Sequence, residues 1–282
     1  MEKQKRIVVI QSLPCAGRSS MAVTLPILSC AGLETSILPT VVLSTHTAFP
    51  NVALQRMTDM ILPAAQQWHD EGFTADAVYL GYLGSVEQTE LIRKALPLIA
   101  DEHTRVYVDP VMGDGGKLYR TMDPAFPAAM RAFCGVGQVL LPNITEACLM
   151  CGVPYREGPH DEAFIHTLLE GLRDLGQEQT VLTGVMPDEN HIGAAAMDCR
   201  TGEVVQVVAE KEPTSFCGTG DIFAATFIGA QMNGHGLEDS LRIAEDFISG
   251  CIRRSAAENR DLRRGVNFEE GLGDFIRAVK AE

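Results

Sequence analysis

The stretch Arg6-Ile-Val-Val-Ile-Gln11, followed by Ser12-Leu-Pro-Cys-Ala-Gly17-Arg-Ser-Ser20, decides how the rest of the chain is read. Four β-branched residues in a row, bounded by polar ones, read as a buried strand. The small residues after it form a loop, and from about 19 to 31 the apolar residues fall at helical spacing until Gly32 stops them. A strand, a loop and a helix open a βαβ unit. In open sheets of this kind, ligands gather at the carboxyl ends of the strands.

The same rhythm continues along the chain. Strands are expected over 35–43, 77–80, 105–108, 138–141 and 179–184, with helices over 51–69 and 87–100 and another after Asn143. Then the pattern changes: 193–197 and 203–209 read as two strands joined by Cys199-Arg-Thr-Gly202, a hairpin. Helices over about 237–256 and 268–280 close the chain. The expected fold is α/β, a single-domain three-layer α/β/α arrangement with a mostly parallel central sheet and a late β-hairpin. No linker, repeat or low-complexity tract divides residues 1–282.

Apolar residues make up 46% and charged residues 21%, which excludes a disordered chain. The net charge of −14 argues against nucleic-acid binding, because no basic surface is at hand to neutralise phosphates. The apolar run Ile7 to Ile10 is too short for a leader core or a membrane span, so a cytoplasmic protein with its eight cysteines reduced is expected. Cys148-Leu-Met-Cys151 matches C-x-x-C but lacks a second pair at zinc spacing, and it reads as packing in a helix.

Chemistry concentrates at Phe216-Cys217-Gly218-Thr219-Gly220-Asp221, which runs into an apolar helix ending near Gly234. A glycine turn that opens a helix presents free N–H groups and the positive end of the helix dipole, and so binds anions. Asp221 is out of place beside such a turn unless it takes a proton from whatever attacks the anion. The alternative for Asp221 is a plain helix cap. Loops at the other strand ends carry further polar residues: Ser12, Ser44-Thr-His46-Thr47, Gly81-Tyr82-Leu-Gly84-Ser85, Asp109-Pro-Val-Met-Gly-Asp114-Gly-Gly116, Pro142-Asn143-Ile-Thr145-Glu146 and Thr183-Gly184. All would lie along one edge of the sheet, and Asn143 or Thr145 is placed to cap the helix that follows. The glycine-rich piece 113–121 reads as a loose lid segment.

This ordered set of motifs, spanning 11 to 221, resembles the ribokinase-like superfamily and within it the vitamin-kinase branch that contains the pyridoxal kinases. The resemblance implies transfer of the ATP γ-phosphoryl group to the 5'-hydroxymethyl of a B6 vitamer, in salvage of the 5'-phosphate. Asp221 would then be the catalytic base and also touch the substrate. The N–H groups of Gly218, Thr219 and Gly220 would form the anion hole. Asp109 and Glu146 would organise Mg2+ through water. Asp114, Asn143, Glu146, Thr183 and Gly184 would line the ATP side, and Ser12, His46, Thr47 and Tyr82 the vitamer side. The resemblance also implies a homodimer, and it leaves open whether K+ is needed.

The chain departs from the pyridoxal kinase pattern in three places. The loop after Ser12 is short and lacks the usual ring-covering segment, Ala48 follows Thr47, and the turn reads Gly-Thr-Gly-Asp. All three lean toward hydroxymethylpyrimidine kinases, which share the chemistry. A sugar kinase and a non-catalytic vitamer-binding protein are further alternatives. A nicotinamide dehydrogenase is disfavoured by the missing G-x-G-x-x-G after the first strand.

Overall fold

The computed structural model describes residues 3–258 and 261–281; Met1 and Glu2, at the head of the stretch read above for a leader, lie outside them. In chain order the elements are β1 (Arg6–Pro14), α1 (Met21–Cys30), β2 (Glu34–Leu43), β3 (Leu54–Arg56), α2 (Ile61–Asp70), β4 (Ala77–Leu80) and α3 (Val86–Ile99). Next come β5 (Arg105–Val108), β6 (Gly113–Asp114), β7 (Lys117–Leu118), α4 (Phe126–Cys134), β8 (Val139–Leu140), α5 (Ile144–Cys151) and α6 (Glu162–Arg173). The chain ends with β9 (Gln179–Val185), β10 (His191–Asp198), β11 (Glu203–Glu210), α7 (Thr219–Met232), α8 (Leu237–Ala257) and α9 (Leu272–Val279).

Among the described residues, nine strands form one sheet in the order β11-β10-β9-β8-β5-β4-β1-β2-β3. The run from β2 to β9 is parallel, and β3, β10 and β11 extend it antiparallel at the two edges. β1 shows why the strands are nearly all apolar. Val8 and Ile10 enter the core under α2 to α6, while Ile7 and Val9 enter the core under α1, α7, α8 and α9. A strand covered on both faces has no solvent side on which to place polar residues. α7 is apolar all round for the same reason: Ile222 through Ala230 are buried without a break.

The expected three-layer α/β fold is present, with the six parallel strands and the late hairpin where the sequence puts them. Two local expectations change. Residues 51–57 are not helix: Asn51 takes a positive φ, Leu54–Arg56 pairs with Val41–Leu43 at the sheet edge, and a 3-10 turn over Thr58–Met60 leads into the α-helix that begins at Ile61. Leu54 is therefore exposed. β1 runs on to Pro14, so Ser12 lies within the strand, where the pairing with β2 shifts register between Gln11 and Leu13. Such a bulge re-aims a side chain. The segment 113–121, read above as a lid, opens with a tight hairpin, Gly115 and Gly116 both taking positive φ between β6 and β7. Helices α4 and α6 carry no expectation above; each packs an apolar face on the sheet.

Candidate active site

Gly218 sits at φ 81° as the cap residue of α7, and the helix begins at Thr219. An added Cβ on Gly218 would lie 2.1 Å from the Arg18 carbonyl oxygen, so only glycine fits against the α1 loop. The first intrahelical bond runs from the Ile222 N–H to the Gly218 carbonyl. The N–H groups of Thr219, Gly220 and Asp221 therefore precede the helical ladder. Nothing lies within 4 Å of where a Gly220 side chain would be, so the turn faces open space.

Asp221 occupies the third helical position and not the cap, so the plain capping role does not apply. Burial pushes its carboxyl up to about 6, and the backbone N–H of Ser20 at the head of α1 works in the opposite direction. At the end of β5, Asp109 is buried and accepts a hydrogen bond from the Tyr79 hydroxyl at 3.1 Å. Burial, and then the charge of Asp221, pushes Asp109 up to about 8. Asp221 is thus close enough for Asp109 to feel its charge.

Pro142 and Asn143 link β8 to α5. Asn143 caps α5 by accepting the Glu146 N–H at 2.9 Å, and Glu146 returns a bond from the Asn143 N–H at 2.9 Å, a reciprocal capping box. The other Glu146 oxygen accepts the Met112 N–H at 3.0 Å. Burial and the Asp109 charge push Glu146 upward, and the N–H groups of Asn143, Met112 and Gly113 oppose this. Asn143 Nδ2 also donates to the Gly113 carbonyl at 2.9 Å, and Thr145 Oγ1 accepts the Gly116 N–H at 3.0 Å. Thr145 is thereby a hairpin anchor and not a cap. Asp114 is exposed at the first corner of the hairpin, where Oδ1 accepts the Gly115 N–H.

Thr183 bridges to Asn143 at the next strand end, and Gly184 follows at φ 74° with open space around it. On the other side of Asp221, Ser12 is buried and donates to Ser20 Oγ at 2.9 Å. Tyr82 is half-buried, with its hydroxyl 3.4 Å from Thr121 Oγ1, next to a cavity of about 480 Å³ lined by Arg56, Ser85, Thr121 and Phe126. Asp221 does not line that cavity. The carboxylates mark the site, because they converge at the strand ends while the cavity lies off to one side. Thr47 is half-buried in the loop after β2. His46 differs from its expected role. Its Nε2 engages the Arg263 carbonyl, its Nδ1 accepts the Ala48 N–H, and its ring packs edge-on to Phe49. Both ring nitrogens serve the fold, tying the 44–49 loop to the segment after α8. Tyr79 and Ser20 join the site without any expectation above. A lone hydroxyl on an otherwise apolar strand is the available signal for Tyr79; Ser20 gives none.

The site is rich in oxygen donors and suits a hard divalent cation. Among the described residues, however, no group of three or more His, Cys, Asp or Glu side chains is arranged to hold a metal by itself. Both Glu146 oxygens already accept backbone N–H groups. This chemistry fits an ion held through water and substrate phosphates, the usual habit of Mg2+. No described helix is long and apolar enough to cross a membrane.

The sequence profile of phosphomethylpyrimidine kinase matches residues 35–265, most of the chain and nearly every strand end described above. The chain belongs to that family. It is 29% identical to the pyridoxine/pyridoxal/pyridoxamine kinase of Bordetella pertussis, over 96% of this chain and 93% of the relative. In three dimensions it resembles pyridoxal kinase from Lactobacillus plantarum, with a TM-score of 0.88, 30% identity and 97% of each chain covered. It also resembles a Bacteroides thetaiotaomicron protein named for phosphomethylpyrimidine kinase and crystallised with pyridoxal, with a TM-score of 0.92, 31% identity, and 97% of this chain and 96% of that one covered. Family membership places the chain in the ribokinase-like superfamily.

Proposed function

We propose that this protein is an ATP-dependent kinase that phosphorylates the 5'-hydroxymethyl group of a B6 vitamer: pyridoxal, pyridoxamine or pyridoxine. One observation carries the reading. The helix-start turn at Gly218–Gly220 and the Asp221 carboxylate share one strand edge with Asp109, Asn143 and Glu146. Phosphoryl transfer needs alignment and charge neutralisation more than covalent help, and these are the parts for both. The pyridoxal bound to the Bacteroides thetaiotaomicron relative supports the acceptor class.

In this reading Asp221 takes the proton of the acceptor alcohol. The amides at the head of α7 hold the transferring group, its charge growing toward the positive end of the helix dipole. Thr183, Gly184, Asn143 and Asp114 line the nucleotide side. Mg2+, when bound, supplies charge neutralisation between the phosphates, and Asp109 and Glu146 would hold it through water. Ser12, Thr47 and Tyr82 wall the vitamer. His46 shapes that wall through its tie to Arg263 and leaves no ring nitrogen for the substrate. The 113–121 hairpin is the element placed to cover the phosphates, moving as a unit about its anchors at Asn143 and Thr145. The reading extends to one domain acting as a cytoplasmic homodimer, supported by the resemblance to vitamin kinases alone.

A hydroxymethylpyrimidine kinase is the second reading, favoured by the family match and by the Gly-Thr-Gly turn. The two differ in acceptor and not in chemistry. Initial rates with Mg-ATP on pyridoxal, pyridoxamine, pyridoxine and hydroxymethylpyrimidine separate them. The proposal expects the highest kcat/KM on a B6 vitamer. A preference of tenfold or more for the pyrimidine would overturn it.

A further inference from the structure

Ser20 stands where the backbone asks for glycine. Its φ is 46° and its ψ is −135°, and apart from Asn51 it is the one non-glycine residue among those described with a positive φ. Side chains rarely adopt that conformation, which costs free energy and persists only where surroundings enforce it. Three surroundings enforce it here. The backbone just ahead of it, at the Arg18 carbonyl and Ser19 Cα, packs on Gly218 at the head of α7. Its Oγ accepts the Ser12 hydroxyl at 2.9 Å in a buried contact. Its carbonyl accepts the Val23 and Thr24 N–H groups, starting α1. Its side chain makes no cap bond to α1, so the hydroxyl is not there to stabilise the helix. With Ser12 as donor, the Ser20 hydroxyl keeps its own hydrogen for a further acceptor.

We infer that Ser20 is a positioning residue for phosphoryl transfer. Held in a strained backbone, it sets the Ser12 hydroxyl and the Asp221 carboxylate in fixed register, so that the acceptor's ring and its reacting alcohol are located by one rigid unit. The inference rests on the kinase reading above and adds to it the residue that couples acceptor binding to the base. Ser12 reaches Ser20 from the bulge in β1, while Asp221 stands in the first turn of α7, three residues after the Gly218 that abuts this loop, and the Ser20 N–H opposes the rise of its carboxyl. Gly218, pressed on the Arg18 carbonyl two residues before Ser20, keeps the same loop from drifting.

The test uses the full-length chain and the variants Ser20→Gly and Ser20→Ala. Glycine relieves the strain and removes the hydroxyl; alanine removes the hydroxyl and keeps the strain. The expected result is a melting temperature raised by a few degrees in Ser20→Gly but not in Ser20→Ala. Both variants should lose about tenfold or more in kcat/KM for the acceptor, with the KM for ATP within twofold. Adding Ser12→Ala to either should cost little more, since the coupling is already gone. A merely structural Ser20 would give the opposite: a more stable Ser20→Gly with parental kcat/KM, and that result overturns the inference while leaving the kinase intact. The comparison is run on whichever alcohol the parent phosphorylates best, so an acceptor other than a B6 vitamer overturns only the proposed substrate. A parent that phosphorylates no alcohol overturns both.

Discussion

Replacing Asp221 by Asn separates the catalytic role of this carboxylate from its energetic role in a single variant. Burial raises the carboxyl from 3.8 to about 6, so the ionised form is disfavoured in the folded protein. A rise of that size corresponds to about 3 kcal/mol, and solvent reaching the partly exposed side chain brings this to roughly 1–2 kcal/mol. The sign follows from linkage. The stabilising proton is fully in place below the unfolded value near 3.8 and is lost as pH rises through about 6. At neutral pH the nucleotide-free protein therefore carries the full cost of the charge. Asn is neutral and nearly isosteric, so Asp221→Asn is expected to raise the melting temperature at pH 7.5 by roughly 2–6 °C. At about pH 4 the same substitution should change it little. Turnover should fall about 10²- to 10⁴-fold, the usual worth of a positioned base, with ATP affinity nearly unchanged. Scanning fluorimetry at the two pH values, together with a coupled ADP assay and nucleotide titration, reads all three quantities. Retained turnover with an unmoved melting temperature would refute the assignment of a desolvated base to Asp221.

Gly218→Ala places a methyl group 2.1 Å from a backbone oxygen and forces a positive φ on alanine, so it should destabilise by about 2–4 kcal/mol. It should also lower kcat/KM by about 10² or more, because the α1 loop must move by about 1 Å; denaturant melts and initial rates measure both. Glu146→Gln sets an NH2 group against a backbone N–H now bonded to the carboxylate, either that of Met112 or that of Asn143. A loss of about 1–3 kcal/mol is expected in urea melts, with a raised KM for Mg-ATP. Asp109 is pushed up to about 8, so a proton competes with the cation for this site. The Mg2+ concentration for half-maximal rate should fall as pH rises toward about 8 and level off above it; Mg2+ titrations at several pH values give this directly.

The sheet was legible because its strands are buried on both faces, and Ile7-Val-Val-Ile10 admits few other readings. Of the candidate site, the local geometry was legible: the glycine turn into α7 at Gly218–Asp221 and the Asn143 cap of α5. Misreadings fell where local signals conflict with tertiary ones. Leu54, Met57 and Ile61 share helical spacing, yet the backbone of Leu54–Arg56 bonds to the open edge of β2, which no periodicity can show. The glycines at 115 and 116 read in sequence only as loose backbone, whereas two positive φ values in succession make them the turn of the β6–β7 hairpin. His46 looked like a ligand because its partner, the Arg263 carbonyl, lies 217 residues away. Ser20 was invisible because its meaning is a dihedral angle.

The three carboxylates are treated unequally, and the inequality supports the roles proposed for them. Glu146 is surrounded by the N–H groups of Asn143, Met112 and Gly113 and completes the cap of α5. Its lone pairs are largely committed, so it orders the hairpin root. Asp109 receives one phenol from Tyr79, and Asp221 one backbone amide from Ser20. Each is left with acceptor capacity that the protein does not fill, at a place where burial makes unfilled charge costly. A fold under selection for stability alone would not keep two such groups within reach of each other, since removing either would relieve the other. Their partial solvation makes sense if a cation claims the free lone pairs of Asp109 and an alcohol proton those of Asp221. By the same reasoning Tyr79 and Ser20 act alike, since each favours the charged form of its carboxylate without satisfying it.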